Sequence, residues 1–532
     1  MKPRANHVSR RAFLSGITAT AGAAILAACG GETATTAPTA AAAATKPAGT
    51  TAPAGTTAPA VAATTAPVAA TTAPAVATTG GAAAATTSGA AAPAMVQLKA
   101  AKIRIAQNGS AESAAATQKI LNDFKKVQPN ITVEVFPITA PDWDGFAAKL
   151  LTQIAAGDVP DIINIATEGL QLFAGKGIAA PITDLVMRDK DQLKEFFADV
   201  HPSLIEAMMY DGQLYSLPDN FNAANIFYSK GAFQKHGVPF PSDTWTKDDF
   251  ANAMPKLITQ MGNKTTEYGY FWTNRMWGGA LPWMFINGSN ILSEEKFPGG
   301  ESIWSTFYPT DPAAKGRQGG IKWARAQANS AANVEAVQFL ADLTQKVKAA
   351  PTPADADGQS TQIISTFANK QLATYVGGGF LVRSLDQAGV KPDEYSVAFM
   401  PKWKGQRHQF GTGGFVISAK SPNRDAAWEL AKWRITKDVM ASNFKDGSSG
   451  RTRRSLNQPL YEGTYGFKDY KVFYDTLDKF PDTAPIPQPP QANQVTQVFT
   501  KYVGLAVTGD MPVQAAMDAM QKDLTDALSK PA

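Results

Sequence analysis

Lys102-Ile103-Arg104-Ile105 alternates charged and apolar side chains, the period of a half-buried strand. Ile120, Leu121, Phe124 and Val127 then recur at helical spacing until Pro129-Asn130 breaks the pattern. Ile131, Val133 and Val135 alternate with Thr132 and Glu134 in a second strand, and Phe146, Leu150 and Ile154 mark a second helix. Gly157-Asp158-Val159-Pro160 ends that helix, and Asp161-Ile162-Ile163-Asn164-Ile165 reads as a buried third strand. Strand, helix, strand, helix, strand is the order of a parallel α/β layer. Ligands bind such layers at the carboxyl ends of the strands, so the loops after Ala106, Val135 and Ile165 become candidate ligand loops.

Downstream the same reading continues. Leu214-Tyr215-Ser216-Leu217-Pro218 is strand-like, and Val334, Val337, Leu340, Leu343 and Val347 form an amphipathic helix. Leu372 to Val376, Tyr395 to Met400 and Phe415 to Ser418 are further strands. Ser421 as N-cap and Pro422 in the first turn open a helix through Trp428 and Trp433, whose spacing is that of a core face. A last helix starts near Asp510–Pro512 and buries Val513, Ala516, Met517, Met520 and Leu524. Roughly 430 ordered residues exceed what one hydrophobic core holds, so two lobes are expected.

Upstream the composition changes. Ser9-Arg10-Arg11-Ala12-Phe13-Leu14 resembles a twin-arginine export signal, and the mildly apolar segment after it ends in Leu26-Ala27-Ala28-Cys29-Gly30. Small residues before a lone cysteine suit lipoprotein processing, with Cys29 as the lipidated N-terminus; residues 1–28 then form the signal peptide. The segment is too short and polar for a stable membrane span. Residues 29–96 continue almost wholly in Ala, Thr, Pro, Gly and Val, with Glu32 and Lys46 as their charges. With no large side chains to bury, this stretch reads as a disordered, Pro-stiffened stalk with threonines open to glycosylation. Residues 97–532 form the folded part.

Removing Lys2, Arg4, Arg10 and Arg11 leaves 46 basic and 45 acidic side chains, a net charge near +1. That balance gives no case for nucleic-acid binding. No cysteine follows Cys29, which excludes disulfides and Cys-based metal sites or nucleophiles in the folded part. His201, His236 and His408 are scattered and none sits in a metal-binding pair, so no cofactor or metal is expected.

Residues 100–530 resemble the family 1 extracellular solute-binding proteins of ABC importers, the group that includes maltose-binding protein. The resemblance is carried by Lys149-Leu150-Leu151-Thr152-Gln153-Ile154-Ala155-Ala156-Gly157-Asp158-Val159-Pro160-Asp161 and by Gly212-Gln213-Leu214-Tyr215-Ser216-Leu217-Pro218. Phe227-Tyr228-Ser229-Lys230, Phe233, His236-Gly237 and Thr244-Trp245 follow, then Phe367-Ala368-Asn369-Lys370-Gln371-Leu372-Ala373 and Gly377-Gly378-Gly379-Phe380. Gly413-Gly414, Ser421-Pro422 and Ala426-Ala427-Trp428 complete the order. The resemblance implies an α/β, two-lobed, type II periplasmic-binding-protein-like fold with its ligand cleft at the hinge. Lobe one would hold about 98–218 and 415–458, lobe two about 222–410 and 459–532. It further implies a monomeric receptor that closes on a small solute and docks on permease subunits, without chemistry of its own.

A sugar site needs polar side chains at the rim and aromatic platforms beneath. By the resemblance, Ser110, Glu112 and Glu168 follow lobe-one strands, while Asn220, Asn222 and Gly414 lie where the chain crosses between lobes. On lobe two, Trp272, Arg275 and Trp277 fall in an aromatic run, Phe380 stands where the family often carries Trp, and Asn493 and Gln494 lie in another contact segment. Each has a plainer alternative: a Trp in the core, or Glu168 as a helix-capping carboxylate. Arg451 and Arg453, in the tract Gly447–Arg454, would favour an acidic solute if they faced the cleft and otherwise form a solvated turn. Segment 293–328, longer than the family usually carries, reads as a lid or as an insertion outside the site. The rival function is a secreted glycosidase or lyase, with Glu112 and Glu168 as its acid pair.

Overall fold

The computed structural model describes residues 98–140, 142–352, 361–442 and 450–531. Cys29, the proposed signal and the Ala/Thr/Pro-rich stretch lie outside the described residues, as do Gly447 to Ser449.

Nine strands carry most of two sheets: β1 Ala101–Asn108, β2 Ile131–Ile138, β3 Ile162–Ala166, β4 Pro218–Ala223, β5 Asn225–Ser229, β6 Lys264–Phe271, β7 Leu372–Gly377, β8 Tyr395–Ala398 and β9 Gln409–Ile417. The helices used below are α1 Ala111–Leu121, α2 Trp143–Ala155, α3 Thr167–Gly175, α4 Phe380–Gln387, α5 Arg424–Arg434, α6 Ala492–Thr508 and α7 Val513–Leu528.

Lobe one is built on a sheet ordered Gly450–Arg451, β4, β9, β3, β1, β2, with Ala484–Pro485 added to β9. β1 runs parallel to both β2 and β3, so Ile105 sits opposite Val135 and Ile162. Ile103 and Ile105 are fully buried, which is why strict alternation in this strand is stable. α1, α2 and α3 each leave the carboxyl end of one of these three strands. Ser110 caps α1 by accepting the Ser113 N–H at 3.2 Å, and Asp142 caps α2 through the Gly145 N–H at 2.7 Å. β9 lies antiparallel beside β3, and β4 antiparallel beside β9, so the contiguous parallel layer is three strands wide.

Lobe two is built on a mixed sheet ordered β8, β5, β7, β6 and Thr259–Met261. Only Ala224 separates β4 in the first sheet from β5 in the second, and its N–H donates to the Gln409 carbonyl at 2.8 Å. The chain returns between β8 and β9, then crosses a third time between Ala484–Pro485 and α6. One apolar cluster fills lobe one and runs under the hinge to Phe227, Tyr375 and Tyr395 of the second sheet. Tyr461, Phe473 and Leu477 pack on that shared core. A second cluster around Trp283, Phe250 and Tyr270 fills the rest of lobe two with α6 and α7. Trp428 on α5 is fully buried, as its core spacing predicts.

Two local readings differ. The helix expected from Ser421 begins at Arg424: the Ser421 hydroxyl accepts the Asn423 N–H at 3.0 Å while donating to the Asp161 carboxylate at 2.6 Å, and so shapes the turn that precedes the helix. The run Leu214–Pro218 is no single strand: Gln213–Leu214 closes a hairpin with Met209–Tyr210, and the sheet strand starts at Pro218.

Segment 293–328 ties the lobes together. Its antiparallel arms, Leu292–Lys296 and Ile321–Ala326, are rooted in the second cluster through Leu292, Ile321 and Trp323. Its tip helix, Glu301–Phe307, reaches lobe one, where Phe307 stacks on Phe197 at 3.8 Å and the Tyr308 hydroxyl donates to the Val200 carbonyl at 3.0 Å. Buried Glu206 accepts from Lys296 and Arg317, each at 2.7 Å, and from the Gln318 N–H at 3.1 Å. No helix among the described residues is long and apolar enough to cross a membrane.

Candidate functional site

The carboxyl ends of β1, β2 and β3 open onto one edge of lobe one. Thr167 and Glu168 begin α3 there, with the Thr167 hydroxyl donating to Glu168 Oε2 at 3.1 Å. Burial is the main influence on Glu168 and raises its pKa; hydrogen bonds and the positive Arg275 of lobe two act against it. Asp144, in the first turn of α2, is pushed up to about 7 by burial first and by Asp142 second, against a hydrogen bond with Thr496. Its Oδ1 is buried without a hydrogen-bond partner. Thr496 belongs to α6, so a lobe-two helix covers the acidic edge of lobe one. The lobes meet across the cleft.

The lobe-two wall is aromatic. Before the helix Leu281–Ile286 the backbone leaves helical geometry at Trp277-Gly278-Gly279, with Gly278 at φ 70°. A Cβ on Gly279 would collide with the Thr273 carbonyl. The kink turns half-buried Trp277 toward Phe380 (ring centroids 5.7 Å apart), with the Arg275 guanidinium 5.6 Å from its ring centre. Gln409, at the start of the returning strand β9, accepts the Gly278 N–H at 2.8 Å and so ties the kink to the hinge. Glycines let these walls approach. A Cβ on Gly378 would lie 2.9 Å from Trp277 and 3.0 Å from Asn222, and one on Gly411 would lie 3.1 Å from Trp277 Nε1. Asn222 Oδ1 accepts the Phe380 N–H at 3.1 Å, joining β4 to α4.

The structure therefore gathers Glu168, Asn222, Arg275, Trp277 and Phe380 around one cleft. Asn220 alternates with Asn222 on β4 and directs its amide to Asp219 at 2.8 Å. Gly414 sits within the sheet between Ile165 and Pro218, where a Cβ would press on Leu217 and Ser216. Ser110 and Glu112 are exposed at the start of α1, Ser110 serving as the N-cap. Trp272 is 2 % exposed inside the lobe-two core, so the core alternative describes it. On α6, Asn493 is half-buried with an unpartnered buried Oδ1, whereas Gln494 is exposed.

Sequence reasoning missed Asp144, Thr496 and Gln409. Asp144 follows the second strand, whose loop was already a candidate; Thr496 lies three residues beyond Asn493, on the same helix face. Gln409 carries no sequence signal. Arg451 and Arg453 are not solvated. Arg453 is 2 % exposed, donates to the Ile435 carbonyl at 2.9 Å and lies against Phe196; Arg451 is buried beside Asp219, and desolvation lowers its pKa to about 10.

The sequence model of the bacterial extracellular solute-binding proteins matches residues 108–441. A putative binding protein of Brucella abortus is 24 % identical over 336 residues, covering 62 % of this chain and 71 % of the relative. A multiple sugar-binding protein of Streptococcus mutans is 24 % identical over 365 residues, 66 % of this chain and 76 % of that one. Among solved structures, an ABC substrate-binding protein of Listeria monocytogenes in complex with cycloalternan superposes with a TM-score of 0.65 at 22 % identity, covering 80 % of this chain and 98 % of that one. A Thermotoga lettingae ABC transporter solute-binding protein bound with α-D-tagatose gives 0.64 at 22 %, covering 81 % and 100 %.

Proposed function

The chain belongs to the bacterial extracellular solute-binding proteins, and on that premise we propose that it is a lipid-anchored receptor for a mono- or oligosaccharide. It captures the solute by lobe closure and delivers it to the permease subunits of an ABC transporter. Cys29 carries the lipid and the Ala/Thr/Pro-rich stretch spaces the lobes from the membrane. The receptor works as a monomer and leaves its ligand unchanged.

One observation carries the carbohydrate reading: Trp277 and Phe380 on lobe two face Glu168 and Asn222 on the other side of the cleft. Aromatic faces suit the C–H surfaces of a sugar, and carboxylate and amide groups suit its hydroxyls. The names of the S. mutans, L. monocytogenes and T. lettingae relatives point the same way. Glu168, Asn220, Asn222, Arg275, Trp277, Phe380 and Asn493 are the ligand contacts proposed, with Asp144 and Thr496 beside them. Ser110, Glu112, Gly414 and Gln494 stand at or behind the rim.

A thermal-shift screen of the full chain against saccharides, polyols, peptides and polyamines tests this. Saccharide-dependent stabilisation that rises with concentration is expected; shifts by peptides or polyamines alone would overturn it. The rival glycosidase or lyase reading rested on Glu112 and Glu168; Glu112 is exposed at the start of α1, and Asp144 is the acid that joins Glu168 on one edge, both raised in pKa. Product analysis after prolonged incubation separates the two, since a receptor returns its sugar intact. Cys29→Ser is expected to release the protein from membranes with ligand binding unaltered.

A further inference from the structure

The strap formed by segment 293–328 meets lobe one beside the cleft. Its arm residues Ile321 and Trp323 face Thr167 and Gln171, with Ile486 from the third crossing, across a cavity of about 10 Å³. That space holds about one water molecule. Thr167 precedes Glu168, and Gln171 lies one helical turn further along α3. The Gln171 side chain donates to the Ile321 carbonyl at 2.8 Å, so the strap backbone is latched onto the same helix that presents Glu168. Ile321 and Trp323 are each 7 % exposed. Beside Thr167 and Gln171 the space is thus filled by the strap down to about one water.

The filling is not a loose loop. Glu206 grips the strap through Lys296 and Arg317, Phe197 stacks on Phe307, and Tyr308 is buried against Val200. Displacing it would strip a buried carboxylate of both cations and expose aromatic surface.

We propose that this strap is a plug that closes one end of the cleft and limits the solute to a short one, a mono- or disaccharide or a polyol of similar size, with Trp323 as its specificity-determining side chain. The proposal rests on the carbohydrate reading and adds the length of the ligand to it.

Calorimetric titration of the full chain with glucose, maltose, maltotriose and maltotetraose, and with xylose through xylotetraose, reads the length profile directly. Affinity is expected to be highest for the mono- or disaccharide of one series and at least tenfold weaker for its tetrasaccharide. Trp323→Ala should strengthen tetrasaccharide binding tenfold or more with the monosaccharide Kd within twofold. Gln171→Ala, which unlatches Ile321 without emptying the core, should act in the same direction and carries the test if Trp323→Ala does not fold. A tetrasaccharide bound as tightly as the disaccharide by the unmodified chain, or a length profile unchanged in the folded variants, overturns the plug alone. Failure of every member of both series to bind, with binding by a peptide or polyamine instead, overturns the carbohydrate reading and the plug with it.

Discussion

Trp272 and Trp277 are five residues apart in one aromatic run and have opposite surroundings. Trp272 is packed in the lobe-two core, while Trp277 stands half-buried at the cleft against Phe380 and beneath Arg275. Neither residue type nor spacing separates them. The separation comes from Gly278-Gly279, whose backbone breaks the turn, and from Gln409, which holds that turn to the hinge from a strand far along the chain. Trp277 stays half-buried here because the backbone around it is bent and clamped, not because it is aromatic.

Substitutions turn that contrast into numbers. Trp272→Ala should cost about 4 kcal/mol of stability, the usual loss for emptying a buried Trp site, with ligand affinity of the surviving fold little changed. Chemical denaturation with a parallel titration checks it, and a large affinity loss at intact stability would place Trp272 in the cleft after all. Glu206→Ala should cost about 3 kcal/mol, because Lys296 and Arg317 then face each other without their shared carboxylate. Cleavage by protease within the strap should rise in the same variant. Trp277→Ala should do the reverse of Trp272→Ala: roughly 2 kcal/mol lost from saccharide binding, about thirtyfold in Kd, with the ligand-free melting point nearly held.

The last contrast is a pH dependence. Asp144 has a pKa of about 7 in the folded protein against an ordinary 3.8, and Glu168 is raised as well. Between those values the folded state holds a proton that the unfolded chain has released, so the ligand-free protein loses stability as pH rises from about 4 to 7 and levels off above it. Asp144→Asn should flatten most of that slope in melting curves taken across the window. A slope unchanged by Asp144→Asn would assign it to Glu168, the other raised carboxylate of that edge.

Much of lobe one was legible because its signals are local. Ile103, Ile105, Val133 and Ile163 alternate or cluster as buried strands must, and the helices between them bury Leu121, Phe146 and Leu150. The loops after the three strands followed from that order, and two of them carry Asp144 and Glu168. Less of the site was legible on lobe two. Asn222 meets Phe380, Gln409 meets Gly278, and Asp144 meets Thr496, each pair joined only by the crossings of the hinge. Arg453 shows the same limit: in sequence it belongs to a Gly- and Arg-rich turn, yet in the fold it is buried between Ile435, Phe196 and Asp199.

From its sequence alone this protein was readable as an α/β chain with a strand-end ligand edge, because periodicity and turn residues act over a few positions; the two-lobed arrangement came from the family resemblance of its motifs. The tertiary structure alone decided which tryptophan is packed in the core and which stands half-buried against Phe380, which buried carboxylates have raised pKa values, and that residues 293–328 span the lobes. Those outcomes depend on contacts between segments a hundred or more residues apart, such as Gln171 with Ile321 and Glu206 with Arg317, and no local pattern encodes a partner at that distance.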